Sequence, residues 1–242
     1  MMTVSGEAVS EEKVGLWEDF VDIFYAPSEV FARRRAAGFW MPLLVVAVVA
    51  TILSFGTSRI LEAPADADAQ RQTREMVREN PELDVSGART MTETIGEVLV
   101  WFTGFFVAAM AIGLGLMLWL GGKIAGSAIS VRAGILIATY AMVPRLSEAV
   151  VAIVEGLARG PSNLDSLSRL SWSPARFLDP DTASDMVMFV ASAVDLFAIW
   201  WLVVLAIGLA VIGNMPRARA AAVVAGIWVV LSLPALIGAA TG

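Results

Sequence analysis

The sequence predicts an all-α polytopic membrane protein, with five transmembrane helices and an amphipathic interfacial helix ahead of them. Three observations carry that reading. Of 242 residues, 57% are hydrophobic and only 17% charged, against about 45–50% and about 25% in a soluble domain. Mean hydropathy is +0.73. The apolar residues also gather into blocks of the length, about 20 residues, that crosses a hydrocarbon core.

The elements follow in chain order. Residues 1–38 form a cytoplasmic N-terminal segment. Its first 15 residues lack the basic and apolar regions of a cleavable signal peptide, so the first span is expected to act as an uncleaved anchor. Leu16, Trp17, Phe20, Ile23 and Phe24 recur at helical spacing, with Glu18, Asp19 and Asp22 opposite, which predicts an amphipathic helix ended near Pro27. Such a helix ordinarily lies on the membrane with a basic polar face. This one is acidic, and its Trp17, Glu18, Asp19, Phe20, Asp22 and Phe24 also suit docking to a basic protein partner. Arg33, Arg34 and Arg35, just after it, suit contact with anionic headgroups.

The membrane domain is expected over 39–242. Its spans fall at about 39–58, 95–120, 131–157, 186–212 and 220–240, with outer loops at 59–94 and 158–185. Pro42 sits in the first turn of span one, where a missing N–H costs little. Span three is the least pure, with Pro144, Arg145, Glu148 and Glu155; span four carries Asp195. The stretch 64–81 is rich in helix formers and poor in apolar residues, which predicts a solvated helix projecting into water. The second outer loop has leucines, Trp172 and Phe177 spread between turn residues, as amphipathic pieces at the interface would.

Five spans put the termini on opposite sides. Basic residues divide evenly between the two sides, so position decides. Arg33 to Arg35, Lys123, Arg132, Arg217 and Arg219 lie in short segments beside span ends, which places the N-terminus inside and the C-terminus outside.

Composition also excludes function classes. The chain has no His and no Cys, which removes Ser-His-Asp and Cys-His catalysis, thiolate chemistry, and haem and zinc ligation. No catalytic set, metal site or cofactor is expected. A net charge of −6 argues against nucleic acid as a partner.

Intramembrane charges are expensive, and three share one expected depth: Arg145, Glu148 and Asp195. Arg145 and Glu148 lie three residues apart on one helical face, and span four would bring Asp195 to them. Two carboxylates against one guanidinium leave an excess negative charge, which a proton or a further donor would balance; Tyr140 and Thr139 are the candidates. The cluster reads either as a structural clasp or as a proton or solute pathway. Ala109-xxx-Gly113 and Ala222-xxx-Gly226 are small-xxx-small pairs, expected to serve packing within the chain.

Four stretches resemble the Yip-domain family, the Ypt-interacting-type five-span membrane proteins, and look most like its bacterial branch. They are Phe24-Tyr25-Ala26-Pro27 through Phe31, followed by Trp40 and Pro42; Gly121-Gly122-Lys123 with Ser130 and Arg132; Tyr140 to Pro144; and Asp195 with Phe197 and Trp200. Eukaryotic members carry Asp-Leu-Tyr-Gly-Pro where this chain has the longer Asp22-Ile23-Phe24-Tyr25-Ala26-Pro27, so their Rab-type GTPase binding does not carry over. The resemblance implies a non-enzymatic protein of the inner cell membrane that binds other integral membrane proteins, a transporter complex among them. The alternative is a small channel or proton-coupled carrier built on the charge cluster.

Overall fold

The computed structural model describes residues 15–80, 82 and 84–241. The expectation about the signal region falls on residues 1–14, outside the described residues. The described chain is all-helical: α1 (Leu16–Asp22), α2 (Pro27–Arg33), α3 (Trp40–Ile60), α4 (Glu62–Glu79), α5 (Val85–Ile124), α6 (Val131–Arg159), α7 (Asp185–Ala193), α8 (Leu196–Ile212) and α9 (Arg217–Thr241). Three short 3₁₀ turns fill the connection between α6 and α7.

Among the described residues, four helices are long and apolar enough to cross a membrane: α3, α5 from Arg89, α6 and α9. The expected fourth span is not continuous. Helices α7 and α8 meet at a 50° bend, so together they form a fifth, broken crossing or a re-entrant loop. The apolar run hides this break. Asp195 causes it locally, because its side chain accepts from the Ala198 N–H at 2.9 Å and so starts a new helix as an N-cap.

Helix α6 is the hub. Its first half, from Ala133 to Pro144, is buried without interruption between α3, α5 and α8. Close approach to α5 comes from two glycines. A Cβ on Gly134 would lie 2.3 Å from the Gly115 carbonyl oxygen, and one on Gly115 would lie 2.5 Å from the Ile135 Cα. The turn between α5 and α6 uses Gly126 at φ 82°. Beside it, the Ser127 hydroxyl donates to the Gly213 carbonyl at 2.7 Å and ties this turn to the one between α8 and α9. Ser130 then caps α6 by accepting from the Ala133 N–H.

At the opposite end, α4 does not project alone into water. Arg71 pairs with Asp68 and Asp181 and donates to the Asp165 carbonyl, and Asp68 accepts from the Leu167 N–H. The polar helix is thereby fastened to the second loop. Within that loop, Arg169 grips both carboxylate oxygens of Asp165 at 2.8 Å and holds its carboxyl below the ordinary value. A lowered carboxyl adds stability above its unfolded value, and that stability goes as pH falls through the folded one. Thermal unfolding of the parent and of Asp165→Asn should therefore differ slightly at pH 7 and converge below about pH 4.

Candidate functional site

Two polar centres lie on α6, five residues or about 7.5 Å apart along its axis. The first is built around Asp19, whose side chain is fully buried. Its Oδ1 accepts from Arg33 Nε at 2.7 Å; its Oδ2 accepts from Arg34 Nε and from the Tyr140 hydroxyl, the latter at 3.0 Å. Asp22 continues the network by accepting from Arg33 and from Tyr25, and both bonds hold its carboxyl below the ordinary range. A carboxylate can lie this deep because two guanidiniums and a phenol satisfy both of its oxygens.

Aromatic packing seals the centre. Phe20 and Phe31 stand 5.7 and 6.2 Å from the Tyr140 ring, the second edge-on. Phe31 rests in turn on Gly208 of α8, where a Cβ would meet its ring at 2.9 Å. A cleft of about 270 Å³ opens beside it, lined by Leu16, Arg34, Ala37, Gly38, Trp40, Met41, Pro42 and Tyr140.

Asp19 thus turns inward instead of facing a partner. The helical-spacing reading put all three acids on the wet face, but the docked helix takes Asp19, Phe20 and Ile23 into the protein and leaves Trp17, Val21 and Phe24 outside. Arg33 and Arg34 both pair with Asp19. Arg35 is exposed and donates to the Val211 carbonyl at the end of α8. Arg132 ties the linker down through the carbonyls of Ala36 and Ala37 at 3.0 and 3.1 Å.

The second centre brings together Arg145, Glu148 and Asp195. Arg145 lies 2.7 Å from Glu148 and 3.7 Å from Asp195. Asp195 is buried, and its Oδ2 takes no hydrogen bond among the described residues. The expected extra donors do not reach this cluster. Tyr140 is spent on Asp19, and the Thr139 hydroxyl donates to the Ile135 carbonyl within its own helix. Pro144 is buried within α6, and the Ser147 hydroxyl donates to its carbonyl. The second loop closes over the break between α7 and α8: the Leu196 N–H donates to the Trp172 carbonyl at 3.1 Å, and Phe197 meets the Trp172 ring edge-on. Trp200 is half-buried against the core. Glu155, two turns beyond Glu148, accepts from Arg159 and Arg176.

Because Asp195 is both a charge and a cap, two substitutions separate its roles. Asp195→Asn should keep the cap and Asp195→Ala should lose it, leaving the alanine variant about 1 kcal/mol less stable than the asparagine variant. Thermal unfolding in mild detergent, repeated with Arg145→Gln, reads the cap and the charge pairing separately.

The small-residue pairs divide as well. Gly104, like Gly115 and Gly134, lies against a neighbouring backbone, whereas a Cβ on Gly113 or Gly226 would meet nothing within 4 Å. The expectation that Gly113 and Gly226 serve packing within the chain therefore does not hold.

The motif residues sort onto the two centres. Phe31, Trp40, Pro42 and Tyr140 line the first, with Pro27 buried as the opening residue of α2; Asp195 and Phe197 belong to the second. The Yip1 domain family matches residues 21–239, which takes in the second centre and, of the first, everything beyond Asp19 and Phe20 of α1. No curated protein and no solved structure matches the chain.

Proposed function

The chain belongs to the Yip1 domain family, and on that premise we propose that it is a non-enzymatic, five-span organiser of other integral membrane proteins, a transporter complex among them. The observation that supports this reading is the open face of its last helix. Only 11% of the apolar window of α9 is buried, and Gly226 on it faces open space, as Gly113 does on α5. Small residues on an open helical face let a partner helix come close, and close backbone approach drives association inside a bilayer. The protein works in the inner cell membrane with its N-terminus inside. Supporting that orientation, Arg35, Lys123, Arg132, Arg217 and Arg219 all stand exposed at the end of the bundle that carries α1 and α2.

The chain has no native cysteine, so single cysteines report cleanly. Gly226→Cys should give a discrete crosslinked partner in native membranes, while Phe105→Cys, on an exposed aromatic face of α5, should not. Gly226→Leu should lower co-purification of that partner at least about fivefold. The same adducts at both positions, or only abundant bystanders, would refute the organiser reading.

A second reading, a small channel or proton-coupled carrier, has one observation in its favour. The broken α7–α8 crossing places a buried, incompletely bonded carboxylate where discontinuous helices of transporters bind their substrates. Reconstituted protein should then carry a flux that Glu148→Gln and Asp195→Asn abolish. Absence of flux, or flux indifferent to both, removes this reading.

A further inference from the structure

From the docking of α1 we infer that its outward face, Trp17 and Val21 with Phe24 just beyond, is seated in lipid, under a leaflet whose anionic headgroups meet a rim of exposed basic residues. The inference needs only that α3 and α6 are membrane spans, and stands apart from the organiser reading.

Depth is the first argument. Helix α6 has 29 residues, about 43 Å at the helical rise, against a hydrocarbon core of about 30 Å. It overhangs by about 13 Å in all. Tyr140, which bonds Asp19 of α1, is nine residues into α6, again about 13 Å. Even with the whole overhang placed at this end, Tyr140 lies at the hydrocarbon boundary; any other placement sinks it deeper. The cleft residues agree, since Leu16 at the start of α1 shares the cleft with Trp40, Met41 and Pro42 from the first turn of α3. α1 is therefore level with the beginning of a membrane span.

Chemistry is the second argument. Trp17 is 74% exposed, Val21 48% and Phe24 39%, and they fall at helical spacing on one face. Trp40 and Met41 of α3 are exposed beside them, so the apolar belt of the spans continues onto α1. The polar side of α1 faces the other way, where Arg33 and Arg34 neutralise it. A helix that turns Asp19 and Asp22 toward arginines and shows Trp17 and Val21 outward, with Glu18 exposed on its flank, is matched to lipid, not to a basic peptide.

The rim is the third. Lys123, Arg132, Arg217 and Arg219 are exposed around the ends of α5, α6 and α9. No Asp or Glu occurs from residue 98 to 147, nor after Asp195. Arg219 reaches the Ala125 carbonyl, which keeps α9 and α5 together at this rim. Among the described residues none of these four forms an ion pair, and a basic ring at the end of the bundle that carries an aromatic foot is complementary to anionic headgroups over acyl chains.

The test uses the full chain in nanodiscs of phosphatidylcholine with or without phosphatidylglycerol. Nitroxide labels on Val21→Cys and Phe24→Cys should collide with oxygen in preference to an aqueous nickel chelate, as a label on Leu44→Cys of α3 does. Labelled phosphatidylglycerol should be enriched around the protein over phosphatidylcholine at least about fivefold, and Lys123→Gln with Arg217→Gln should erase that preference. Labels preferring the nickel chelate would put α1 in water and leave its face for a protein partner. Labels shielded from both agents would bury it in the chain itself. Either result, or no lipid preference, overturns the inference.

Discussion

Asp19→Ala is expected to destabilise the protein by roughly 3 kcal/mol, at the lower end for one partner lost from a buried ion pair. The lower end applies because Arg33 and Arg34 keep about a quarter of their side-chain surface exposed, at 26% and 24%. The loss has a clear physical origin. Two guanidiniums lose the carboxylate they share, with Arg33 kept only on Asp22, beside a phenol that has also lost its acceptor. Tyr140→Phe removes only one hydrogen bond and should cost less. Thermal unfolding in mild detergent ranks the two. Limited proteolysis adds a local readout, since α1 and α2 should become cleavable in Asp19→Ala while α3 to α9 stay protected. Equal protection in parent and variant would mean that the aromatic contacts of Phe20 and Phe31 hold the segment without the ion network.

The second large effect is expected where α5 and α6 touch. Gly115→Ala drives a methyl into the backbone of Ile135, 2.5 Å away, and backbone cannot rotate aside as a side chain can. Overpacking of this kind costs up to about 3 kcal/mol, from which the helix preference of alanine over glycine returns about 1. A net loss of about 2 kcal/mol is expected. Gly113→Ala, two residues away on the open face, meets nothing within 4 Å and keeps only the gain, so it should be neutral or stabilising by up to about 1 kcal/mol. Opposite signs two residues apart on one helix would be hard to obtain from anything but the Gly115–Gly134 contact.

These two effects mark what was and was not legible in the chain. The apolar blocks announced α3, α5, α6 and α9, because a run of 20 apolar residues has few alternatives to crossing a bilayer. Arg145 with Glu148 was legible from their spacing alone. The partnership of Asp19 with Tyr140 was not, since 121 residues separate them. Helical periodicity sorts polar from apolar faces but assumes that the polar face meets water. Beside a membrane that assumption inverts, and the acids turn inward to meet arginines. A signal was nonetheless present: Arg33 and Arg34 balance Asp19 and Asp22 in charge, and Thr139 and Tyr140 are the hydroxyls in an otherwise apolar run. The break at Asp195 was hidden for a different reason. Its flanks are so apolar that length outweighed the capping residue, although an Asp ahead of Leu196 is a legitimate helix start.

Helix α5 has a mechanical consequence. Its 40 residues make a single rod of about 60 Å, twice the hydrocarbon thickness. One end carries the polar arm of α4; the other ends at the basic rim. Between them it is pinned at Gly104 against Ala47 and at Gly115 against Ile135. Two pins about 16 Å apart on one rod resist tilting, so the helix is a strut held by α3 and α6. A sideways force on the outer arm would be passed into α3 and α6 at those two glycines and would reach the core of the bundle with no change in any helix along the way.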